Sequence, residues 1–529
     1  MSAVTGTPVL ARATLHQDGR NIAPWVLLIS LLSASSVLIY RWIFTSEAER
    51  TALATSLGLN PALSLIFGPA GDLTSADGFN AWRAGMLGAF FAGLMTILIV
   101  ARNGRAQEDS GQAELLASAV VGRQTRLFVA VLVASLAAAA LGVVCFLLTW
   151  ASGGGVLASA TLAATFTASG LVFAGVAAVT NQLASDARAA TATAIGTLGV
   201  LYALRGYLDS SAAAAWTGWL TPFGWFARAD PGGSPTWWPL LVALGCAVLL
   251  TAVAFALQQR RDFGLGMVPQ RPGPADGGRG ASLPGLTLAL HRGSLVGWAL
   301  AFVGLGLLFG TLVTSVGDLV AQNPAMAAIL AAGGVSTDDL SAAFVATVLQ
   351  IIGIVAAVLG VQIIMRIHAE EVDHRVEPLL AAAVRRPAYL ATNLALALVA
   401  TAGAMLLSGL GLGYMAHRQD AAVSPTDVVS QALVTVVAVW VLVALATAAV
   451  GAVPSRRVVG WLGVLATFGL TLLGPTFRLP GWALSISPLR HVPVVSAADP
   501  AWSGLAWLTL PLALFLVVAF VGFRRRDIL

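Results

Sequence analysis

The sequence predicts an all-α polytopic membrane protein. Its twelve transmembrane helices are expected to form two parallel six-helix repeats, related by a pseudo-twofold along the membrane normal. Three observations predict this. Hydrophobic residues make up 58% of the 529 and charged residues only 10%, where a soluble domain carries about a quarter charged. Apolar runs of about 20 residues, long enough to cross ~30 Å of hydrocarbon, recur along the chain. Landmarks of the first half also return, in order, in the second.

Six spans are expected at about 22–43, 84–101, 127–149, 157–181, 189–207 and 236–257. Six more are expected at about 294–316, 341–365, 389–414, 428–450, 457–475 and 503–523. Between the sets lies a Gly/Pro-rich stretch read as a flexible cytoplasmic linker, 264–288. It separates a first repeat, 1–263, from a second, 289–529. The first twenty or so residues are polar and lack a signal peptide's short apolar region and cleavage site.

Arginine positions set the orientation. All 29 basic residues are arginine. With both termini cytoplasmic, 21 of the 29 fall in inner segments, as the positive-inside rule requires. An arginine-only chain also lacks the lysine that a Walker A loop places on nucleotide phosphates. If ATP drives this protein, another subunit hydrolyses it.

The halves match at several points. Asn60-Pro61-Ala62 returns 263 residues later as Asn323-Pro324-Ala325, and Gly71 as Gly334. TPFGWF (221–226) parallels SPLRHV (487–492), and Asp230-Pro231 parallels Asp499-Pro500. Each half closes on Arg-Arg-Asp, at 260–262 and 525–527. An even number of spans per half gives both repeats one orientation.

The charged residues concentrate in a duplicated cassette, EDSGQAELLASAVVGR (108–123) and EVDHRVEPLLAAAVRR (371–386). Glu108 pairs with Glu371, Glu114 with Glu377 and Arg123 with Arg386. Each copy follows the second span of its half, on the expected cytoplasmic side. Pro378 suits a first helical turn, and Glu114 and Glu377 would sit at the favourable end of a helix dipole. Each cassette therefore reads as an acidic turn leading into a short amphipathic helix. One copy is as well explained by simple solvation; two copies favour matched docking elements for a twofold partner.

The expected spans contain no Asp, Glu or His, and Arg205 lies near an outer end. Ion-coupled carriers keep such groups in the bundle despite a cost of about 2.5–3.5 kcal/mol each, so secondary transport is disfavoured. Cargo would be held by apolar contacts and by Ser, Thr, Asn and Gln. The segment 207–238 holds five of the fifteen tryptophans, which concentrate at membrane interfaces. It reads as a dip into the outer leaflet, either an aromatic belt or an outer gate using Trp219, Pro222 and Trp225, with Pro488 in the second half. Gly306 and Gly310 have small-xxx-small spacing. Cys145 and Cys246 lie in apolar spans and the histidines are scattered, so neither a disulfide nor a metal site is expected.

These features resemble the ABC-2 type exporter permease: a six-span unit with a short amphipathic lead-in, a coupling helix between spans 2 and 3, and an outer dip before span 6. The doubled form, with cassettes of pattern E-x5-E-x-L followed by Val and Arg, resembles the fused permeases of polyketide-antibiotic, tetronasin-type exporters. The second copy departs from the first in Pro378 for Leu115 and His374-Arg375 for Gly111-Gln112.

The resemblance implies two copies of a separately encoded ATPase, which bind ATP and Mg; this chain itself would hold no cofactor. Glu108, Glu114, Arg123, Glu371, Glu377 and Arg386 would receive the ATPase stroke. It also implies a bacterial cytoplasmic membrane location, lipid contacts and a hydrophobic or amphipathic cargo such as a drug, polyketide or lipid. No nucleic-acid partner is expected. Two alternatives stay open: a twelve-span proton-coupled drug carrier, and a membrane scaffold that transports nothing.

Overall fold

The computed structural model describes residues 3–527 apart from 59–66, 70, 118–120, 211–213, 263, 269–281, 311–312, 314–336, 383, 420–422, 474–478 and 498–499. The landmarks at 60–62, 323–325, 334 and 499 lie outside the described residues. The chain divides into two compact units, Met1–Pro272 and Gly273–Leu529. Every regular element among the described residues is helical, and eleven helices are long and apolar enough to cross a membrane.

In the first unit these are α1 (Thr7–Ile43), α3 (Ala76–Asn103), α6 (Thr125–Ala151), α7 (Val156–Leu183), α8 (Ala187–Ser210) and α10 (Trp238–Arg260). Shorter helices α2 (Glu47–Gly58), α4 (Arg105–Asp109), α5 (Gln112–Ala117) and α9 (Pro222–Arg228) lie between them. The lead-in and first span form one helix of 37 residues with Pro24 inside it. A proline there removes one intrahelical bond, near the point where a polar stretch gives way to an apolar one.

The core forms around α3 and α7. In each, 72% of the most apolar stretch is buried, against 17% for α8, so α3 and α7 form the centre. Glycine permits that contact. A Cβ at Gly88 would fall 2.2 Å from the Phe166 ring, and one at Gly93 2.6 Å from the Phe173 ring. Small residues let helix backbones approach where water provides no hydrophobic drive. On α10, Leu241, Leu244 and Val248 are exposed; at this spacing they share one apolar, uncovered face, as hydrocarbon contact requires.

The second unit holds α11 (Leu283–Gly310), α12 (Thr337–Val372), α13 (Glu377–Ala381), α14 (Arg386–Gln419), α15 (Pro425–Ala452), α16 (Val458–Phe468), α17 (Gly481–Leu484) and α18 (Ser503–Arg525). Its most buried helices are α12 and α15, again the second and fourth apolar runs. Gly306 and Gly310 pack α11 onto α14: added Cβ atoms would meet the Ser408 and Leu412 carbonyls at 2.3 and 2.7 Å.

The expected span 457–475 departs from the plan. It forms only the 11-residue α16, which runs on as a π-helix, Gly469–Leu473, and is not among the eleven. The sequence supplies a reason. Gly469 weakens the helix, and Pro475 has no N–H to offer the Thr471 carbonyl one turn back. Of the expected linker, residues 264–268 lie on the first unit, where Met267 and Val268 donate to the Gln182 and Leu183 carbonyls at 3.1 and 3.0 Å. From Leu283 onward the chain is already α11.

The helices are longer than the expected spans and take in Asp18, His291, Glu370 and Glu371. Three of these have partners. Asn103 donates to Asp18 Oδ2 at 2.5 Å, His291 Nδ1 lies 2.9 Å from the Thr287 carbonyl, and Glu370 pairs with Arg366 at 2.8 Å. The fourth, Glu371, belongs to the cassette.

Candidate functional site

Each cassette begins where a central helix ends. Glu108 lies at the end of α4, which continues α3, and Glu371 in the last turn of α12. A carboxylate at a helix C-terminus meets the negative end of the dipole, and both are buried, with side chains 3% and 5% exposed. Such a group requires cations. They come from the Arg-Arg-Asp triplets that close each unit.

In the first unit Arg261 forks onto Glu108, with Nη1 to Oε2 at 2.9 Å and Nη2 to Oε1 at 2.6 Å. In the second, Arg526 Nη2 donates to Glu371 Oε1. The same two arginines also accept. Arg123, at the far end of the first cassette, donates to the Arg261 carbonyl at 3.2 Å. Arg386 donates to the Arg526 carbonyl at 2.9 Å. Each cassette is thus clasped at both ends by one residue at the end of its unit's last helix, α10 or α18. The carbonyls so capped are among those a helix end leaves unpaired.

Between the clasped ends the two turns follow the same path. Gly111 N donates to the Glu108 carbonyl at 3.1 Å and His374 N to the Glu371 carbonyl at 3.0 Å. Both residues are left-handed, with φ of 74° and 55°. Ala113 and Val376 are fully buried and anchor the short helices. Glu114 lies in the first turn of α5, and Glu377 opens α13 ahead of Pro378, the placement the sequence predicts. Both carboxylates are exposed, and Leu115 is 76% exposed.

The predicted coupling residues therefore separate into two kinds. Glu108, Glu371, Arg123 and Arg386 hold the cassette to the bundle; Glu114 and Glu377 face outward. Sequence reasoning missed Arg261 and Arg526. The Arg-Arg-Asp repeat was visible, but nothing local joins Arg261 to a glutamate 153 positions away.

The clasps differ in their remaining partners. Glu108 also receives Arg105 at 2.8 Å and Arg126. Arg105 donates further to the Ser185, Gly264 and Leu265 carbonyls, fastening the segment after α10. In the second unit His368 occupies the position of Arg105, and its Nδ1 lies 3.7 Å from Glu371. Tyr389 stands where Arg126 does and donates instead to Glu370 Oε2 at 2.8 Å.

The tryptophan-rich segment packs into its unit. A 3₁₀ turn, Ala215–Leu220, leads into α9, whose N-cap Thr221 accepts from Gly224 N. Pro222, Phe223 and Phe226 are buried. Trp225 donates to the Trp219 carbonyl at 2.8 Å, and Trp219 stacks on Trp238 at 4.6 Å between centroids. Pro488 is buried at the start of a second 3₁₀ turn, Pro488–His491. Among the described residues no group of three His, Cys, Asp or Glu could hold a metal ion.

The profile described as "Multidrug efflux system permease Rv1217c, C-terminal domain" matches residues 37–257 and 281–524. The Multidrug efflux system permease protein Rv1217c of Mycobacterium tuberculosis (strain ATCC 25618 / H37Rv) is 37% identical over 535 residues, covering 100% of this chain and 96% of the relative. The chain belongs to this family of multidrug efflux permeases. It is an integral membrane protein, and its tie is to these permeases; the finer resemblance to tetronasin-type exporters is not part of the match.

Proposed function

We propose that this multidrug efflux permease is the membrane subunit of an ATP-driven exporter. In this reading twelve spans form two like-facing repeats with both termini cytoplasmic, in a bacterial inner membrane. Two copies of a separate ATPase, which bind ATP and Mg, dock beneath. The observation that carries the reading is the duplicated clasp. An exposed glutamate helix sits on a turn held at both ends to the bundle, once in each unit. A loop serving only solubility has no need of such fastening.

A push on α5 or α13 would reach α10 or α18 through Arg261 or Arg526, and α3 or α12 through the glutamate itself. The absence of lysine, which a Walker A loop needs, supports assigning ATP hydrolysis to a separate subunit. Cargo would be amphipathic and hydrophobic, with the aromatic segments around Trp219, Pro222, Trp225 and Pro488 as an outer gate and membrane lipid alongside. The test is co-purification with an ATP-binding subunit that carries a Walker A loop. Replacing both Glu114 and Glu377 with Arg should abolish complex formation or drug-stimulated hydrolysis. Full retention of both would sink the docking role, and drug movement driven by a proton gradient alone would favour a carrier.

A further inference from the structure

At the end of the first unit opposite the cassette lies a cavity of about 220 Å³. It opens between the start of α3, the start of α7 and the chain after α9. Its walls include Phe67, Trp82, Met86 and Phe226. Phe67 and Trp82 stand 4.8 Å apart between ring centroids, and the Trp82 indole is fixed by donating to the Gly68 carbonyl at 3.1 Å. The floor is small: a Cβ at Gly85 would meet only Leu162, at 3.7 Å. Two exposed carboxylates, Asp72 and Asp230, stand at the mouth.

Neither carboxylate has an ion-pair partner among the described residues. The Thr74 hydroxyl, bonded to Asp72, holds that carboxyl below its ordinary pKa and so ionised. Asp230 is held in a left-handed backbone, φ 43°, by Ser234 N at 2.7 Å. A non-glycine residue at positive φ is uncommon and stores strain that function often explains. Aromatic walls attract a cation at their faces. The one guanidinium that reaches the lining among the described residues, Arg205 beside Gly68, is offset by Asp209 at 3.0 Å, so Asp72 and Asp230 favour a cation over an anion.

We propose that this cavity binds organic cations carrying an aromatic group, with the ring inside and the charge at the Asp72–Asp230 mouth. The proposal deepens the exporter reading and rests on it for the meaning of binding. The cavity is mechanically placed for that role. α3 is one 28-residue helix, about 42 Å at 1.5 Å per residue, with the cavity at its first turns and the cassette just past its last.

The test is equilibrium binding to the full chain in nanodiscs, without ATPase, corrected for empty nanodiscs. The probes are tetraphenylphosphonium and tetraphenylborate, matched in shape and opposite in charge. Asp72→Asn with Asp230→Asn keeps the turn acceptors and should weaken the cation by about tenfold or more while sparing the anion. Gly85→Leu, which fills the floor, should weaken the cation as well. Unchanged cation binding in both variants overturns the proposal. Equal loss of both ions in the Asn variant also overturns it, since the carboxylates would then not be reading charge. Failure here leaves ATPase docking standing, and failed docking leaves this binding intact.

Discussion

The two clasps share a backbone path and differ in charge. In the first unit one buried carboxylate faces three arginines, Arg105, Arg126 and Arg261. In the second, Glu371 has Arg526 as its one close cation among the described residues and His368 farther off, while Tyr389 serves the neighbouring Glu370. The lesson is that the geometry of the turn is set by the glutamate and the closing arginine. The other positions are free to take on local duties. Arg105 is an arginine because three carbonyls around it need donors; no described carbonyl takes that place beside His368.

This contrast makes a crossed prediction. Removing the carboxylate should injure the first unit more. Glu108→Gln removes the carboxylate that three buried guanidiniums share and should cost about 3–5 kcal/mol, against a smaller loss for Glu371→Gln, both read as thermal unfolding in detergent. Removing the closing arginine should reverse the order. Arg526→Ala leaves Glu371 nearly unpaired, at about 3 kcal/mol, whereas Arg261→Ala leaves Glu108 with two arginines and should cost about half as much. Equal losses in both comparisons would mean that the extra arginines do not share the charge.

A smaller effect sharpens the backbone comparison. Gly111 and His374 occupy the same left-handed turn, which costs a residue with a Cβ about 1–2 kcal/mol. Gly111→Ala should therefore destabilise the first cassette by about 1 kcal/mol. His374→Gly should be mildly stabilising, because the relieved strain is partly offset by lost contact with Glu377 at 2.7 Å. Limited proteolysis after the neighbouring arginines would read both. The smallest stability effect belongs to Glu114→Gln and Glu377→Gln. Being exposed, they should shift unfolding by less than about 0.5 kcal/mol while weakening ATPase binding in a pull-down.

Much of this was legible in the sequence. The helical class, eleven of the expected spans, the duplicated cassette and the first-turn position of Glu114 and Glu377 follow from periodicity, capping chemistry and repetition. What escaped is contact between distant residues. The two Arg-Arg-Asp triplets and the two cassettes each recur once per half, and that joint recurrence was the available signal for pairing them. The break at α16 was missed because hydropathy does not register Pro475. The cavity was missed because it gathers Phe67, Trp82 and Phe226 from three separate stretches, none unusual alone.

The clasp also limits how a cassette can move. Each sixteen-residue cassette is tied at its first and last residues to a single point, Arg261 or Arg526. A loop fixed twice to one pin cannot slide away from it without breaking both ties. It can swivel. Force applied to the exposed glutamate would thus arrive at the last helix as torque about its own end, turning the helix in place before lifting it.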